Sequence, residues 1–150
     1  MTKIILITKI NALIDNVFDL NRNIDIHKQS TSKSKETAIA GVTSGLINKG
    51  ETVTWHGKHF GFYLTHKSLI SEMNFPSYFV DEMIEGKFKS FKHHHFFEEL
   101  NGIVTMKDEI HYETPFGIFG KLFDAIILKK HLTRFINERN TFIKQLSENQ

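Results

Sequence analysis

The chain has 150 residues, of which 40% are hydrophobic and 24% charged, with a formal net charge of +2 and no cysteine. That length and balance are typical of one folded domain with a buried core, which we expect to span residues 1–150. The small net charge argues against a nucleic-acid partner, the lack of cysteine favours a cytoplasmic location, and no stretch approaches the roughly 20 apolar residues needed for stable membrane insertion.

The first predicted elements are one strand and two short helices. Thr2–Ile10 is rich in β-branched residues, which favour a strand. Asn11 is the predicted cap of the first helix, because apolar residues at helical spacing follow it. The second helix is predicted over Asn23–Gln29, and the polar segment Ser30–Lys35 is predicted to be a loop.

The middle of the chain predicts consecutive antiparallel strands separated by turn residues. The clearest turn is Asn101-Gly102, a dipeptide typical of two-residue β-hairpins. A second turn surrounds Pro76, which has no N–H to donate to a strand ladder. The predicted strands are Lys35–Val42, Glu51–Phe62, Tyr63–Met73, Tyr78–Glu85, Phe88–Glu99 and Ile103–Glu113.

A long helix is predicted for the C-terminal part of the chain. From Ile118 to Leu146 the apolar residues recur at spacings of three and four, which predicts roughly 28 residues or about 42 Å of helix. The stretch Leu122–Leu128 is apolar on nearly all sides except at Asp124, so we expect this half to be the more deeply enclosed. The last turns are expected to present a solvent face through Arg139, Lys144 and Gln145.

This order of elements resembles the helix-grip fold of the START-like ligand-binding superfamily, also called SRPBCC. The segments that are similar to its bacterial polyketide cyclase/dehydrase-like branch are Ala38–Trp55, Lys58–Gly61, Pro76–Phe97 and Pro115–Gly120. Members of that branch are often called SRPBCC family proteins or cell-division inhibitors. The resemblance implies an α+β fold in which a curved antiparallel sheet of about six to seven strands wraps the long C-terminal helix and encloses a cavity. It implies no catalytic residues, because this branch offers no established catalytic motif to match.

Three consecutive histidines, His93, His94 and His95, occupy one predicted strand. Alternation of side chains places His93 and His95 on one face with Phe91 and Phe97, and these apolar neighbours indicate the concave face. A His-x-His pair on one strand can bind a metal ion if another strand supplies a third ligand. The candidates for that third ligand are His59, Glu82 and Asp108. Because no spaced Cys/His motif accompanies the pair, we expect histidines that hydrogen-bond within the wall or to a ligand, and no metal or cofactor.

Carboxylates also fall on apolar faces of the predicted strands. Asp81 alternates with Phe79 and Met83, and Asp108 alternates with Met106 and Ile110. A buried carboxylate is costly unless it is paired, so histidines of neighbouring strands are the expected partners. Such pairs either act as general acid and base or only satisfy one another in the wall, and we favour the second interpretation. The residues expected to line a ligand site are Trp55, His59, Phe79, Met83, Phe91, His93, His95, Met106, Asp108 and Phe123.

Three functions follow from these features. The favoured one is a non-catalytic binder or carrier of a small hydrophobic molecule, because fourteen phenylalanines supply extensive apolar lining. The second is a cyclase- or dehydratase-type enzyme that uses a pocket histidine with a carboxylate. The third is an interaction protein whose own phenylalanines fill its core. A cavity above about 300 Å³ would support binding, a filled interior would contradict the first two functions, and a homodimer is left open.

Overall fold

The computed structural model describes residues Met1–Gln150 and contains seven strands in one antiparallel sheet. The strands are β1 (Thr2–Ile10), β2 (Thr37–Gly41), β3 (Thr52–His59), β4 (Phe62–Asn74), β5 (Tyr78–Glu85), β6 (Ser90–Leu100) and β7 (Ile103–Glu113). Their order across the sheet is β1-β7-β6-β5-β4-β3-β2, so β1 lies at one edge beside the last strand and β2 lies at the other edge.

Two short helices lie between β1 and β2 in the sequence, and the other helices follow β7. They are α1 (Ile14–Asn21), α2 (Ile24–Ser30), α3 (Gly117–Phe123) and α4 (Lys129–Glu148). A short 3₁₀ turn at Ser32–Ser34 follows α2, and a π-helical turn at Asp124–Leu128 joins α3 to α4. The predicted α+β helix-grip fold is therefore confirmed, with two short helices after the first strand and a long C-terminal helix. None of the helices combines the length and apolar character needed to cross a membrane.

Two hydrophobic clusters hold the helices against the sheet. In the larger one, Phe18 of α1 is fully buried and packs edge-to-face against Phe75, Phe79 and Phe97 at ring-centroid distances of 5.1, 5.3 and 5.2 Å. Aromatic pairs in this geometry stabilise a core beyond the area that they bury. The smaller cluster joins β1 and β7 to the C-terminal helical segment and consists of Ile4, Ile110, Tyr112, Leu128 and Ile136.

The predicted cap of α1 is wrong, whereas α2 has a side-chain cap. The residue before α1 is Leu13, which makes no side-chain cap, and the N–H of Ile14 instead donates to Oε2 of Glu99 at 3.2 Å. Asn11 lies outside the helix, and its backbone N–H donates to Glu148. A carboxylate brought in from β6 thus takes the place of a local cap at α1. At α2, Oδ1 of Asn23 accepts hydrogen bonds from two backbone N–H groups of the first turn.

The expected burial of the Leu122–Leu128 half is also wrong. Phe119 and Ile126 are 79% and 64% exposed, and in the π-helical turn only Asp124 and Leu128 are buried. Asp124 points inward because its carboxylate accepts hydrogen bonds from the hydroxyls of Thr2 and Tyr112. The one polar residue of the turn therefore faces the sheet, and its apolar neighbours face outward.

A candidate ligand cavity with buried histidine–carboxylate pairs

A cavity of about 210 Å³ lies between the concave face of the sheet and the helices α2 and α4. Strands β3 to β6 form one wall, and the opposite wall includes Leu128, Leu132, Phe135 and Ile136 from the C-terminal helical segment. The volume exceeds that of an engineered apolar cavity of about 150 Å³ that holds benzene. It is smaller than the roughly 300 Å³ at which pockets for drug-sized molecules begin, so the space suits a smaller ligand than the sequence led us to expect.

Six of the ten residues predicted to line a ligand site lie at the wall of this cavity. They are Trp55, His59, Phe79, Phe91, His93 and His95. The predicted alternation is confirmed on β6, where His93 and His95 are buried on the concave side and His94 is on the other face. Trp55 and His59 likewise share the inward face of β3 with Gly57.

The other four predicted residues do not line the cavity. Met106 is fully buried within the hydrophobic cluster around Phe18, and Asp108 is fully buried behind the histidines of β6. Phe123 is 41% exposed and packs edge-to-face against Phe60, which lines the cavity, without lining the cavity itself. Met83 lies near the end of β5, where its thioether folds over Gly86. Alternation along a strand gives the face of a residue but not how far the cavity extends along that strand, which accounts for these corrections.

The histidines of β6 form a buried network with two aspartates. Nε2 of His93 donates to Oδ1 of Asp108 at 2.7 Å, and Nε2 of His95 donates to Oδ2 of Asp81 at 2.8 Å. The strand register places Asp81 directly opposite His93 and Asp108 directly opposite His95, so both hydrogen bonds run diagonally across neighbouring strands. Asn140 of α4 donates to the second oxygen of Asp108 at 2.6 Å and fixes that carboxylate from the helix side.

One ring nitrogen of this network, Nδ1 of His95, has no hydrogen-bond partner. Nδ1 of His95 is only 3.2 Å from Oδ1 of Asp108, but the atoms are not aligned for a hydrogen bond, and the nitrogen is buried. Buried polar atoms without a hydrogen-bond partner are rare in folded proteins, and each one calls for a physical explanation.

The two histidines of the network differ in their acidity. Burial lowers the pKa of both imidazoles, but for His95 the contacts with Asp108 and Asp81 outweigh burial and raise the pKa. For His93 burial and the neighbouring charge of His95 dominate, and its pKa is lowered. The pKa of Asp81 and the pKa of Asp108 are both lowered, because hydrogen bonds from the histidines outweigh the effect of burial. The network therefore keeps two ionised carboxylates beside the cavity.

A second polar cluster surrounds Glu36, which also lines the cavity. Its carboxylate contacts Nε2 of His27 at 2.7 Å and Nε2 of His59 at 3.3 Å, and Nδ1 of His59 is 3.1 Å from Nε2 of His131. Burial alone would raise the pKa of Glu36, but the hydrogen bonds from both histidines lower it to about 2. Gly57 leaves room for this arrangement, since a Cβ atom there would lie 2.6 Å from Cγ of Glu36.

Sequence reasoning missed the polar residues that the helices and the loop after α2 bring to the cavity. These are His27, Glu36, His131 and Arg139. Arg139 was expected on the solvent face but is buried, and its guanidinium donates to the backbone oxygen of Asn21 and to Oδ1 of Asn140. A signal for it was present, because Leu132, Ile136 and Arg139 follow helical spacing along one stripe of α4.

The seven-stranded antiparallel sheet, the long C-terminal helix and the short helices after the first strand define a helix-grip protein with the SRPBCC, or Bet v 1-like, fold. Solved structures with this fold include protein CV1439 from Chromobacterium violaceum, with a TM-score of 0.76, 10% identity and 99% of each chain covered. Major latex-like protein 151 from Panax ginseng has a TM-score of 0.72 and 16% identity, with 97% of each chain covered. TTHA0849 from Thermus thermophilus has a TM-score of 0.71 and 14% identity, with 97% of this chain and 99% of that chain covered.

No protein-family model matches the sequence, and no curated protein matches it. The solved structures confirm, for the fold, the resemblance drawn from the sequence. At identities of 10% to 16% the similarity concerns the fold alone, and the function has to be argued from the site.

Proposed function

We propose that this protein binds or carries one small, largely hydrophobic molecule in the cavity between its sheet and helix α4. The observation that carries the proposal is an interior left unfilled by its own side chains, although the chain has fourteen phenylalanines. Walls that combine many apolar side chains with a few polar groups are typical of ligand pockets. The proposal treats residues 1–150 as one ligand-binding domain that acts in the cytoplasm, the location favoured by the cysteine-free composition.

The carboxylates of the wall favour a ligand that donates a hydrogen bond, whereas the guanidinium of Arg139 at the same wall already donates to Asn21 and Asn140. Glu36 and Asp81 line the cavity as carboxylates whose pKa values are lowered, so both act as acceptors. A ligand with its own carboxylate would face these like charges, which is unfavourable in a buried site. The volume of the cavity and its acceptor groups together fit a neutral monocyclic molecule that carries a hydroxyl group, such as a substituted phenol.

The sole tryptophan provides a direct assay, because Trp55 lies at the cavity wall and packs on His27 with ring centroids 4.2 Å apart. We expect 4-ethylphenol to change the tryptophan fluorescence in a saturable way with a stoichiometry of one. Benzoate, which has a similar ring but a negative charge, should bind at least about tenfold more weakly. Fluorescence that changes only linearly with 4-ethylphenol would contradict the proposal.

A matched pair of substitutions tests whether binding occurs in the cavity. Leu132→Phe adds volume at the cavity wall and should weaken 4-ethylphenol binding by at least about fivefold. Leu100→Phe makes the same change at the exposed tip of the β6–β7 hairpin and should leave the affinity unchanged. Equal effects of the two substitutions would place the ligand elsewhere.

A second function, general acid–base catalysis, is favoured by one observation. His95 contacts Asp81 at the cavity wall, which is the arrangement that a proton-transfer enzyme of the cyclase or dehydratase type requires. Cyclohexanone in D₂O tests it, because abstraction of a proton next to the carbonyl group replaces hydrogen with deuterium. Catalysis would be supported if the protein exchanges deuterium into cyclohexanone faster than buffer does and if the Asp81→Asn variant loses this excess rate. An exchange rate equal to that of buffer would leave binding as the function.

A further inference from the structure

The network on β5, β6 and β7 contains side-chain types that bind metal ions, and one of its ring nitrogens, Nδ1 of His95, has no hydrogen-bond partner. Asp81, His93 and His95 all line the cavity, and one potential ligand atom from each lies within 4.8 Å of the other two. We propose that Asp81, His93 and His95 bind one divalent metal ion of the Zn²⁺ class at the cavity wall. The proposal goes beyond the binding of an organic molecule, because the ion would bind whether or not the cavity holds a ligand.

Both histidines direct a ring nitrogen at the same oxygen of Asp81. Nε2 of His95 is 2.8 Å and Nδ1 of His93 is 3.7 Å from Oδ2 of Asp81. Bonds of about 2.0–2.1 Å in a tetrahedral zinc site separate neighbouring ligand atoms by about 3.3 Å. Each observed distance from a histidine nitrogen to the carboxylate oxygen lies within about half an ångström of that value.

Asp108 lies where a metal-ligating histidine needs its outer partner. Histidines that bind a metal through one ring nitrogen usually donate the other N–H to a carboxylate, which fixes the ring. Nε2 of His93 already donates to Oδ1 of Asp108, and Asn140 holds the same carboxylate from α4. If Nε2 of His95 ligates the ion, its unpartnered Nδ1, 3.2 Å from Oδ1 of Asp108, needs only a small rotation to donate to that oxygen.

The charge of the network also matches a divalent cation. Asp81 and Asp108 form ion pairs only with His93 and His95, and Arg139 acts on both only through its charge, without an ion pair to either. The buried guanidinium of Arg139 donates instead to an amide side chain and a backbone carbonyl. Carboxylates withdrawn from water are costly without a paired cation, and one ion of charge +2 would balance the charges of Asp81 and Asp108.

The site would be open on one side only. Asp108 and Asn140 do not line the cavity, whereas the three proposed ligands do. A metal ion held by three protein ligands therefore keeps its fourth position directed at the cavity, where water or an oxygen atom of a bound molecule completes the coordination. Two histidines and one carboxylate with an open position form a ligand set that zinc and iron sites both use.

The test uses untagged protein that has been treated with a chelator and dialysed, with ZnCl₂ as the only added ligand. Competition with a chromophoric chelator should give one Zn²⁺ per chain, and Asp81→Asn should weaken binding by about tenfold or more. His94→Ala is the matched control, because this histidine belongs to the same run but lies on the opposite face of β6, and it should change the affinity less than about twofold.

A second measurement does not depend on any variant folding correctly. CoCl₂ added to the wild-type protein should produce the visible absorption of four- or five-coordinate Co²⁺, which hexaaqua Co²⁺ lacks. The proposal is overturned if wild-type protein takes up no Zn²⁺, if Co²⁺ keeps the spectrum of the aqua ion, or if His94→Ala weakens binding as much as Asp81→Asn does. Binding of 4-ethylphenol is measured without metal, so either proposal fails independently of the other.

Discussion

The Glu36→Gln substitution tests how strongly the second polar cluster stabilises the fold. The side chain of Glu36 is only 11% exposed, and hydrogen bonds from His27 and His59 lower its pKa from 4.5 to about 2. At 1.36 kcal/mol for each pKa unit, the ionised carboxylate contributes about 3 kcal/mol to the free energy of unfolding. Glutamine keeps the shape of the side chain but removes the charge, so we expect the variant to be less stable than wild type by about this amount at pH 7.

The pH dependence of that difference has a defined sign. Because the pKa of Glu36 is lower in the folded state than in the unfolded chain, its stabilisation is complete above pH 4.5 and is lost as the pH falls toward about 2. Urea denaturation of wild type and Glu36→Gln at pH 7, 5, 4 and 3 should therefore show a difference that narrows below pH 4.5. The control Glu85→Gln removes a carboxylate that is 72% exposed and should cost much less. A Glu36→Gln variant as stable as wild type at pH 7, or a difference that stays constant down to pH 3, would refute this reasoning.

Three further substitutions test the packing by chemical denaturation. Phe18→Ala empties the centre of the aromatic cluster and should lower the free energy of unfolding by about 3–5 kcal/mol, and a loss below about 1 kcal/mol would contradict the packing described. Phe119→Ser alters a side chain that is 79% exposed and should change stability by less than about 0.5 kcal/mol, whereas a large loss would mean that α3 is covered. Gly120→Ala would place a Cβ atom 1.8 Å from the carbonyl oxygen of Pro115 and should cost at least about 1 kcal/mol, so an equally stable variant would show that this backbone contact is absent.

The strands were predictable because their signals are local. The predicted bounds of β1, β5 and β7 coincide with those in the structure, and Asn101-Gly102 forms the expected hairpin with positive φ at both residues. β-Branched residues, alternation and turn dipeptides act within a few residues of one another, so neither the register nor the helix packing is needed to recognise them.

The burial of the C-terminal helical segment was not predictable from its hydrophobicity. Leu122, Ile126 and Phe119 are exposed although they form the most apolar stretch of the segment. Apolar character shows only that burial is favourable, and much of a folded protein's surface is apolar as well. The buried hydrogen bonds of Asp124 decide which side of this segment faces the sheet, and its partners Thr2 and Tyr112 lie on distant strands.

The candidate site was predictable in part because the alternation of side chains along a strand is also a local signal. Alternation identified His93 and His95 as inward-facing and Asp81 and Asp108 as their acidic partners, because all four lie in regular strands. Which aspartate contacts which histidine depends on strand register, which the sequence does not state. Helical spacing places Arg139 on the buried stripe of α4, but which groups it meets at the cavity depends on how that helix docks on the sheet.

A methyl NMR titration with 4-ethylphenol tests the central claim most directly. Val53, Ile70 and Ile136 line the cavity, whereas Ile118 and Ile126 lie on the exposed apolar surface of the C-terminal segment. If the cavity binds the phenol, the methyl resonances of Val53, Ile70 and Ile136 should shift with one common saturation curve while those of Ile118 and Ile126 stay unchanged. Shifts confined to Ile118 and Ile126 would show that the molecule adheres to the surface and that the cavity is not a ligand site.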